Sequence, residues 1–229
     1  MREIVIKQFK PKKRIQTIAV SDLHLKDTVK SILNTSENLN CKPGYLFTSK
    51  LDSEIITQVN HKDIKVIKIS PIKNHIDYNY FIIYELHKYL VEDYCLIVQW
   101  DGSVMCNWMW SNEFLNYDYI GAPFLQRKND RLYCRDKTGI FRSVGNGGFS
   151  LRSKRILEAP TKLNLLDEPE FTNAHEDGFF SVLHREKLEE QGYKWAPVKI
   201  ARDFSQEKAR NILDLIRPSF GYHGKIFKK

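Results

Sequence analysis

One run of apolar residues constrains the fold more than any other part of the chain. Residues 94–98 (Tyr-Cys-Leu-Ile-Val) carry no charged side chain, and Gln99-Trp100-Asp101-Gly102 follows at once. A strand that lacks alternating polar residues is typical of a parallel sheet whose two faces are both covered by helices. In such sheets ligands bind outside the carboxyl ends of the strands, which is where Asp101 falls. An Asp-Gly turn that only closes the strand is the alternative interpretation.

Strand-like and helix-like segments alternate through the first hundred residues. Apolar residues recur at helical spacing in some segments and form short β-type runs in others. This alternation favours right-handed crossovers, and so predicts an α/β fold with a mixed, mostly parallel central sheet flanked by helices. We predict strands at 17–20, 45–48, 64–69 and 195–198 and a strand from residue 94 that ends at Asp101. We predict helices at 26–38, from an N-cap at Asp77, and after His175.

The length and the residue composition narrow the class of protein. A chain of 229 residues suits one α/β domain, so we expect a single domain over residues 1–229. It contains no run of about 18 uncharged apolar residues and no secretory signal at its start, which favours the cytoplasm. The cysteines are widely spaced and match no zinc pattern, so we expect reduced thiols. They are Cys41, Cys95, Cys106 and Cys134.

Positive charge is concentrated near the two ends of the chain. The formal net charge is +8, with basic clusters at residues 10–14 and 225–229. Such clusters suit anionic lipid headgroups, phosphorylated ligands or nucleic acid, although a solvated basic surface is the commoner case. No basic stripe is interleaved with stacking aromatic residues, so a nucleic-acid partner is not predicted. A peripheral position at an anionic membrane surface stays open.

The segment Ser21-Asp22-Leu23-His24 follows the first predicted strand and offers one candidate chemistry. The Asp-x-His spacing resembles the start of the two-metal site of calcineurin-like phosphoesterases, in which a metal activates water. Such a site needs further ligand motifs, and they are missing: Gly147 replaces the expected histidine after Asn146, and His223 lacks a partner two residues away. A metallophosphoesterase using Asp22 and His24 is therefore kept as an alternative only.

A second group of polar residues fits a transfer reaction better. Moving a sugar from a nucleotide donor needs a divalent ion against the leaving diphosphate and a carboxylate that deprotonates the acceptor. Asp101 and His223 would bind Mg²⁺ or Mn²⁺. Asp177, next to Glu176 at a predicted helix start, would be the general base. Glycines at 145, 147 and 148 would allow close approach of backbone to ligand.

Several segments together resemble the successive motifs of one family, with their order and spacing kept. The family consists of glycosyltransferase-like domains long catalogued as a domain of unknown function, and it is similar to GT-A glycosyltransferases. The resemblance extends over nearly the whole chain, from about Ile15 to Gly224. The segments are 98–102 (VQWDG), 117–123 (YDYIGAP), 144–152 (VGNGGFSLR), 175–177 (HED) and 220–224 (FGYHG).

This resemblance implies a GT-A fold, a nucleotide-diphosphate-sugar donor and a metal. We further expect a hydroxyl acceptor on a glycan or glycolipid, and inversion at the transferred carbon. Asp101 would correspond to the last acid of the Asp-x-Asp motif, with Gln99 in the place of the first acid. Asp177 would be the catalytic acid of a Glu-Asp motif shared with Glu176. The residues expected to contact the donor are Ser21, Asp22, Gln99, Trp100, Gly102, Asn146, Gly147, Gly148 and Lys225.

Other interpretations of these residues stay open. A non-catalytic nucleotide-sugar binding module on the same fold would use the same donor contacts. Arg142, like Lys225, is a candidate for neutralising the diphosphate. His24 and His75 are expected to be solvated or hydrogen-bonded imidazoles. Tyr78 either packs in the core or lines the donor pocket.

Overall fold

A computed structural model describes residues 11, 13–51, 54, 56, 59, 63–124, 134–168, 175–207 and 217–224. The strands within these ranges are β1 (Ile15–Val20), β2 (Gly44–Thr48), β3 (Ile64–Lys68), β4 (Tyr94–Val98), β5 (Gly102–Val104), β6 (Tyr119–Ile120), β7 (Phe149–Ser153), β8 (Ser205–Gln206) and β9 (Gly221–His223). They form a six-stranded sheet with the order β3-β2-β1-β4-β7-β6 and a three-stranded sheet with the order β5-β9-β8.

The helices lie between these strands and flank the large sheet. The helix α2 (His75–Tyr80) continues into a π-helix (Phe81–Glu85) and a 3-10 helix (Leu86–Tyr89). The helix α4 (Glu176–Gly178) continues into a π-helix (Phe179–Leu183). Short 3-10 helices also occur at Asn107–Met109 and Asn112–Asn116. The α-helices are α1 (Leu25–Asn38), α2 (His75–Tyr80), α3 (Lys154–Lys162), α4 (Glu176–Gly178), α5 (Arg185–Glu190) and α6 (Val198–Phe204).

The directions of the strands confirm the predicted mixed, mostly parallel sheet. β3, β2, β1 and β4 run parallel to one another. β7 is antiparallel to β4, and β6 is antiparallel to β7. Because β7 runs opposite to β4, its first residue pairs with the last residue of β4, Phe149 with Val98. The segment before β7 therefore lies at the carboxyl end of β4.

The strand β4 is buried on both faces, as its sequence predicts. Leu96 and Val98 pack in one core cluster with residues of α1 and α6, while Cys95 and Ile97 pack in another with residues of α3 and the π-helices. Each face of the sheet thus has its own apolar layer, and burial of apolar surface on both sides stabilises the sheet. The polar residues that follow Val98 lie at the edge of this core.

Three local predictions are wrong. β4 ends at Val98 rather than at Asp101, because the Gly102 amide donates to the Gln99 carbonyl (3.0 Å) and closes a turn. The N-cap of α2 is Asn74, whose side chain accepts from the amides of Ile76 and Asp77.

The third concerns residues 195–198, which do not form a strand. Trp195 makes only an isolated bridge to Tyr119, and the Pro197 carbonyl accepts from the Ala201 amide to start α6 at Val198. Proline before a helix supplies a carbonyl without needing a partner for an amide, which suits this position.

Three further observations concern the cysteines, the aromatic residues and the helices. All four cysteines are free thiols. Trp110, Phe114 and Tyr119 are buried core residues, whereas Trp108 is exposed. No helix in the described ranges combines the length and apolar character needed to cross a membrane.

Candidate active site

A cavity of about 590 Å³ lies at the carboxyl ends of β1 and β4. Its walls come from the loop after β1, the first turns of α2 and α4, the turn after β4, and the segment before β7. The predicted site residues that line it are Ser21, Asp22, Gln99, Trp100, Asn146, Gly147, Gly148, Glu176, Asp177 and His223.

The small sheet brings His223 to the turn after β4. Gly102 on β5 pairs with His223 on β9, and the Gly224 amide donates to the Asp101 carbonyl (3.0 Å). This pairing leaves Nε2 of His223 3.4 Å from Oδ1 of Asp101 and 3.1 Å from Oε1 of Gln99. The family motifs around residues 101 and 223, far apart in sequence, therefore meet through β-sheet register.

The charge state of His223 depends on its acidic neighbour. Burial disfavours the charged imidazole, but the hydrogen bond and negative charge of Asp101 outweigh it and raise the pKa of His223 above its usual value. Glu207 and Asp177 act in the same direction. The imidazole thus lies in an acidic environment that favours a bound cation or a proton.

A divalent cation is implied by the resemblance, and the ligands available for it can be tested. No group of three or more His, Cys, Asp or Glu side chains in the described ranges is placed to hold a metal ion. Asp101 and His223 are two such ligands, and the amide oxygen of Gln99 lies beside them as a third metal ligand. Two ligands of one octahedral cation lie about 3 Å apart, close to what is seen here. The set fits a cation that completes its shell with ligand oxygens.

Two glycines before β7 allow the cavity walls to approach each other. A side chain at Gly148 would collide with the His223 ring, and one at Gly147 would collide with the Glu176 carboxylate. The Gly147 amide also donates to Oδ2 of Asp177 (3.2 Å). Glycine is therefore required at both positions for close approach rather than for an unusual φ.

Glu176 is held by a buried arginine. Arg152, a fully buried residue of β7, donates from Nη2 to both oxygens of Glu176 (3.0 and 2.9 Å) and from Nε to the Ser150 hydroxyl. Its guanidinium lies over the rings of Tyr119 (4.6 Å) and Phe180 (5.5 Å).

The two partners of this ion pair respond differently to burial. Burial alone would lower the pKa of Arg152, but the Glu176 carboxylate raises it, so the guanidinium stays charged. Burial raises the pKa of Glu176; Arg152 opposes this shift, and the charge of Asp177 adds to it. The pair joins β7 to α4 beneath the cavity.

Asp177 follows Glu176 in the first turn of α4. Its carboxylate lines the cavity and is mostly buried, with a residue exposure of 8%. The turn is fixed from a second side, because Oδ1 of Asn79 on α2 accepts from the Glu176 amide (3.1 Å). The Gly147 amide and the Asn79 side chain therefore hold this turn and Asp177 from two sides.

Asp22 is saturated by hydrogen bonds within the protein. Oδ1 accepts from the Thr48 hydroxyl and the Ser49 amide, and Oδ2 accepts from the Ser49 hydroxyl and the Ile72 amide, all at 2.7 to 2.8 Å. Burial favours the neutral acid, but these hydrogen bonds outweigh it and lower the pKa of Asp22. The carboxylate joins the loops after β1, β2 and β3.

Some predicted residues lie elsewhere. Asp101 and Gly102 are not among the residues that line the cavity, but Asp101 contacts His223, which does line it. Arg142 pairs with Asp136 (2.8 Å) and Glu189 (3.3 Å) and is not among the described residues that line the cavity. Lys225 lies outside the described residues.

Three further histidines line the cavity. His24 has a left-handed backbone (φ 49°), and its ring stacks on Trp100 with centroids 4.5 Å apart. His75 and His175 face each other with centroids 6.3 Å apart. His24 and His75 are exposed, which agrees with the expectation of solvated or hydrogen-bonded imidazoles. His75 was missed as a cavity residue, because no local pattern marks it.

Comparisons with known proteins agree with this geometry. A family model described as "Protein of unknown function (DUF5672)" matches residues 61–223. No curated protein sequence matches the chain.

Two solved structures of galactosyltransferase LgtC have a similar fold. One, in complex with donor and acceptor sugar analogs, is 11% identical with a TM-score of 0.56. The other, of an active-site mutant, is 12% identical with a TM-score of 0.51. Each match covers 92% of this chain and 87% of the LgtC chain. The likeness shows the fold, which is that of the GT-A glycosyltransferases, as the sequence predicts.

Proposed function

The chain belongs to the DUF5672 family, and we propose that it is a glycosyltransferase acting as a single domain. It would move a sugar from a nucleotide-diphosphate-sugar donor to a hydroxyl acceptor on a glycan or glycolipid. One observation carries this proposal: Gln99, Gly147, Gly148, Asp177 and His223 line one cavity at the carboxyl edge of a GT-A-like sheet. Ligands of open α/β sheets bind at this edge.

The charges of the cavity support a cation-assisted reaction. The described lining contains the acids Asp22, Glu176, Asp177 and Glu207 and neither lysine nor arginine. A diphosphate cannot enter such a surface without a counter-charge. We assign this role to Mn²⁺ or Mg²⁺ held by Asp101 and His223, with Lys225 as an additional basic group. When bound, the cation would stabilise charge on the leaving diphosphate.

Asp177 is the proposed general base. Its carboxylate would take the proton of the acceptor hydroxyl while the acceptor oxygen bonds to the anomeric carbon and the bond from that carbon to the diphosphate breaks. This single displacement inverts the anomeric configuration. Glu176, predicted as catalytic with Asp177, is engaged by Arg152 on both oxygens, so we assign it a positioning role.

The variant Asp177→Asn tests the base directly. It keeps the shape of the side chain, and its amide oxygen still accepts from Gly147, so folding and donor binding should persist. We expect turnover to fall about 10²- to 10⁴-fold, measured as nucleotide release with a panel of nucleotide sugars and acceptors. A control is Asp203→Asn, which affects a surface pair with Arg217 outside the cavity.

The outcomes separate the classes of function. Wild-type turnover in Asp177→Asn would remove Asp177 from the mechanism. Donor binding by the wild-type protein with no transfer to any acceptor would instead favour a non-catalytic binding module. Proton NMR of the first-formed product reports the anomeric configuration, and retention would contradict single displacement.

The metal assignment has its own test. Calorimetric titration of Mn²⁺ should show binding in the presence of a nucleoside diphosphate, with weaker binding in Asp101→Asn, which keeps an oxygen ligand but loses the charge. Equal Mn²⁺ affinity in the variant would place the cation elsewhere.

The contacts of Asp22 disfavour the metallophosphoesterase alternative. Each of its oxygens already accepts two hydrogen bonds, and His24 stacks on Trp100. A phosphatase assay with an aryl phosphate and Mn²⁺ should therefore show no activity above background.

We further propose a cytoplasmic protein that associates peripherally with anionic membranes through the basic clusters at its ends. Sedimentation with vesicles containing anionic lipid should then be lost at high salt, since screening weakens such contacts. Failure to bind at low salt would exclude this part of the proposal.

A further inference from the structure

Tyr78 brings a hydroxyl to the cavity from the helix α2. Its ring packs against the core cluster that contains Ile82 and Phe179, and the residue also lines the cavity. The next residue, Asn79, is tied to the start of α4 through the Glu176 amide. The position of the Tyr78 hydroxyl is therefore fixed by packing on one side and by a polar contact on the other.

The hydrogen bonds of Gln99 determine which way this hydroxyl points. Nε2 of Gln99 donates to the Tyr78 oxygen (3.3 Å), while Oε1 of Gln99 contacts Nε2 of His223 (3.1 Å). With Nε2 of His223 donating to Oε1, the amide is held with its NH2 group toward Tyr78. Because the Tyr78 oxygen accepts from Gln99, its own hydrogen points elsewhere, and no group within the described ranges accepts it.

Tyr78 keeps the proton of its hydroxyl at neutral pH. The ordinary pKa of a tyrosine is about 10, so the group can donate a hydrogen bond. A protonated O–H that faces a cavity without a protein acceptor is suited to an oxygen of a bound molecule.

We propose that Tyr78 is a donor-binding residue whose hydroxyl donates to an oxygen of the nucleotide-diphosphate sugar, and that Gln99 is its positioning residue. This inference rests on the proposed glycosyltransferase function. The acceptor atom is either a phosphate oxygen or a sugar hydroxyl, which share the same hydrogen-bond chemistry.

The inference explains the departure of Gln99 from the acidic motif. An ionised carboxylate only accepts hydrogen bonds, so an acid at position 99 would draw the Tyr78 hydrogen toward itself and away from the ligand. Restoring an acid should therefore weaken donor binding instead of improving the site.

The test compares Tyr78→Phe and Gln99→Glu with the wild-type protein at saturating Mn²⁺. UDP-glucose, UDP-galactose, GDP-mannose and the free nucleotides UDP and GDP are titrated by calorimetry, and nucleotide release is followed with the sugar donors. We expect each variant to weaken donor binding about tenfold or more, which is the usual effect of losing a hydrogen bond to a phosphate oxygen or a sugar hydroxyl. The double variant should lose little more than either single variant, since both remove the same contact.

Tyr84→Phe is the matched control. Tyr84 lies on the π-helix that continues α2, and its hydroxyl contacts the Leu165 carbonyl and the Asp167 amide, outside the cavity. It should lower the melting temperature and leave donor affinity unchanged. A purely structural role of Tyr78 would give the same pattern for Tyr78→Phe.

The possible results are distinguishable. If the variants lose affinity for both the free nucleotides and the nucleotide sugars, the contact is to a phosphate. If they lose affinity for the sugar donors alone, the contact is to the sugar. Wild-type affinity in both variants overturns the inference and leaves the proposed function intact. If the wild-type protein binds and releases none of these nucleotides, the proposed function and this inference fail together.

Discussion

Asp22 and Glu176 are two buried acids that line one cavity, and the protein holds them in different ways. Asp22 accepts four hydrogen bonds from neutral donors, which lower its pKa despite burial. Glu176 is bound by the buried Arg152, while burial and the neighbouring Asp177 raise its pKa.

The two arrangements have different consequences for the site. The contacts of Asp22 join three loops of the sheet edge and leave its oxygens little capacity for a ligand. The Arg152–Glu176 pair lies beneath the cavity and fixes the turn that carries Asp177. Hydrogen bonds from neutral donors to Asp22 therefore hold one wall of the cavity. The Arg152–Glu176 ion pair supports the wall that carries the proposed base Asp177.

The largest expected effect comes from breaking the ion pair. Arg152→Met would leave Glu176 buried without its partner and should lower the free energy of unfolding by about 3–5 kcal/mol. Urea denaturation measures this. The double variant Arg152→Met/Glu176→Leu should recover part of the loss, because no unpaired charge remains. As a control, Arg155→Met removes a half-exposed pair with Asp118 and should change stability by about 1 kcal/mol or less. A similarly small loss in Arg152→Met would show that the pair is not structurally important.

A smaller effect is expected from the hydrogen bonds to Asp22. Asp22→Asn replaces one acceptor oxygen by a donor that faces one backbone amide and one hydroxyl, whichever oxygen is replaced, which should lower the free energy of unfolding by about 1–3 kcal/mol. The same urea measurement applies. A loss equal to that of Arg152→Met would contradict the distinction between the two walls.

Two serine hydroxyls allow a finer comparison. Ser49→Ala leaves Asp22 with three donors, whereas Ser150→Ala removes the acceptor of Nε of the fully buried Arg152. We expect the second variant to be less stable than the first by about 1 kcal/mol, because an unsatisfied buried cation costs more than one lost neutral contact. Equal melting temperatures would show that Arg152 finds another acceptor.

The smallest effect is a pH dependence. The folded state lowers the pKa of Asp22, so its stabilising contribution is complete above the ordinary aspartate pKa of about 3.9 and is lost as the pH falls through the lower folded-state value. The stability difference between the wild-type protein and Asp22→Asn should be constant from about pH 5 to 8 and should shrink below about pH 4. Chemical denaturation at several pH values tests this, and a difference that grows on acidification would be inconsistent with it.

Much of the fold follows from the sequence. The run at 94–98 predicts a strand buried on both faces, and the alternation before it predicts parallel neighbours; both are confirmed. Motifs kept in order predict that residues around 101, 147, 177 and 223 converge, and the structure brings them together.

The remainder depends on contacts that no local pattern contains. His75 sits in ordinary helical sequence, and only the fold brings it to the cavity; for Tyr78 the sequence leaves core packing and the cavity open as alternatives, and the structure shows both. The partnership of Arg152 with Glu176 joins two motifs whose separate patterns give no sign of an ion pair. Asn74, not Asp77, is the N-cap of α2. Both types of side chain suit a helix start, so the sequence does not distinguish between them.

The reversed direction of β7 has a consequence for how such a site diversifies. A strand antiparallel to β4 delivers the loop before it, rather than the loop after it, to the reaction edge. Surface loops tolerate insertions and deletions at small cost in closure entropy. The residues next to β7, from Val144 to Gly148, are buried, so the tolerant part of this segment lies before Val144, where a change of length would leave the β4–β7 register fixed.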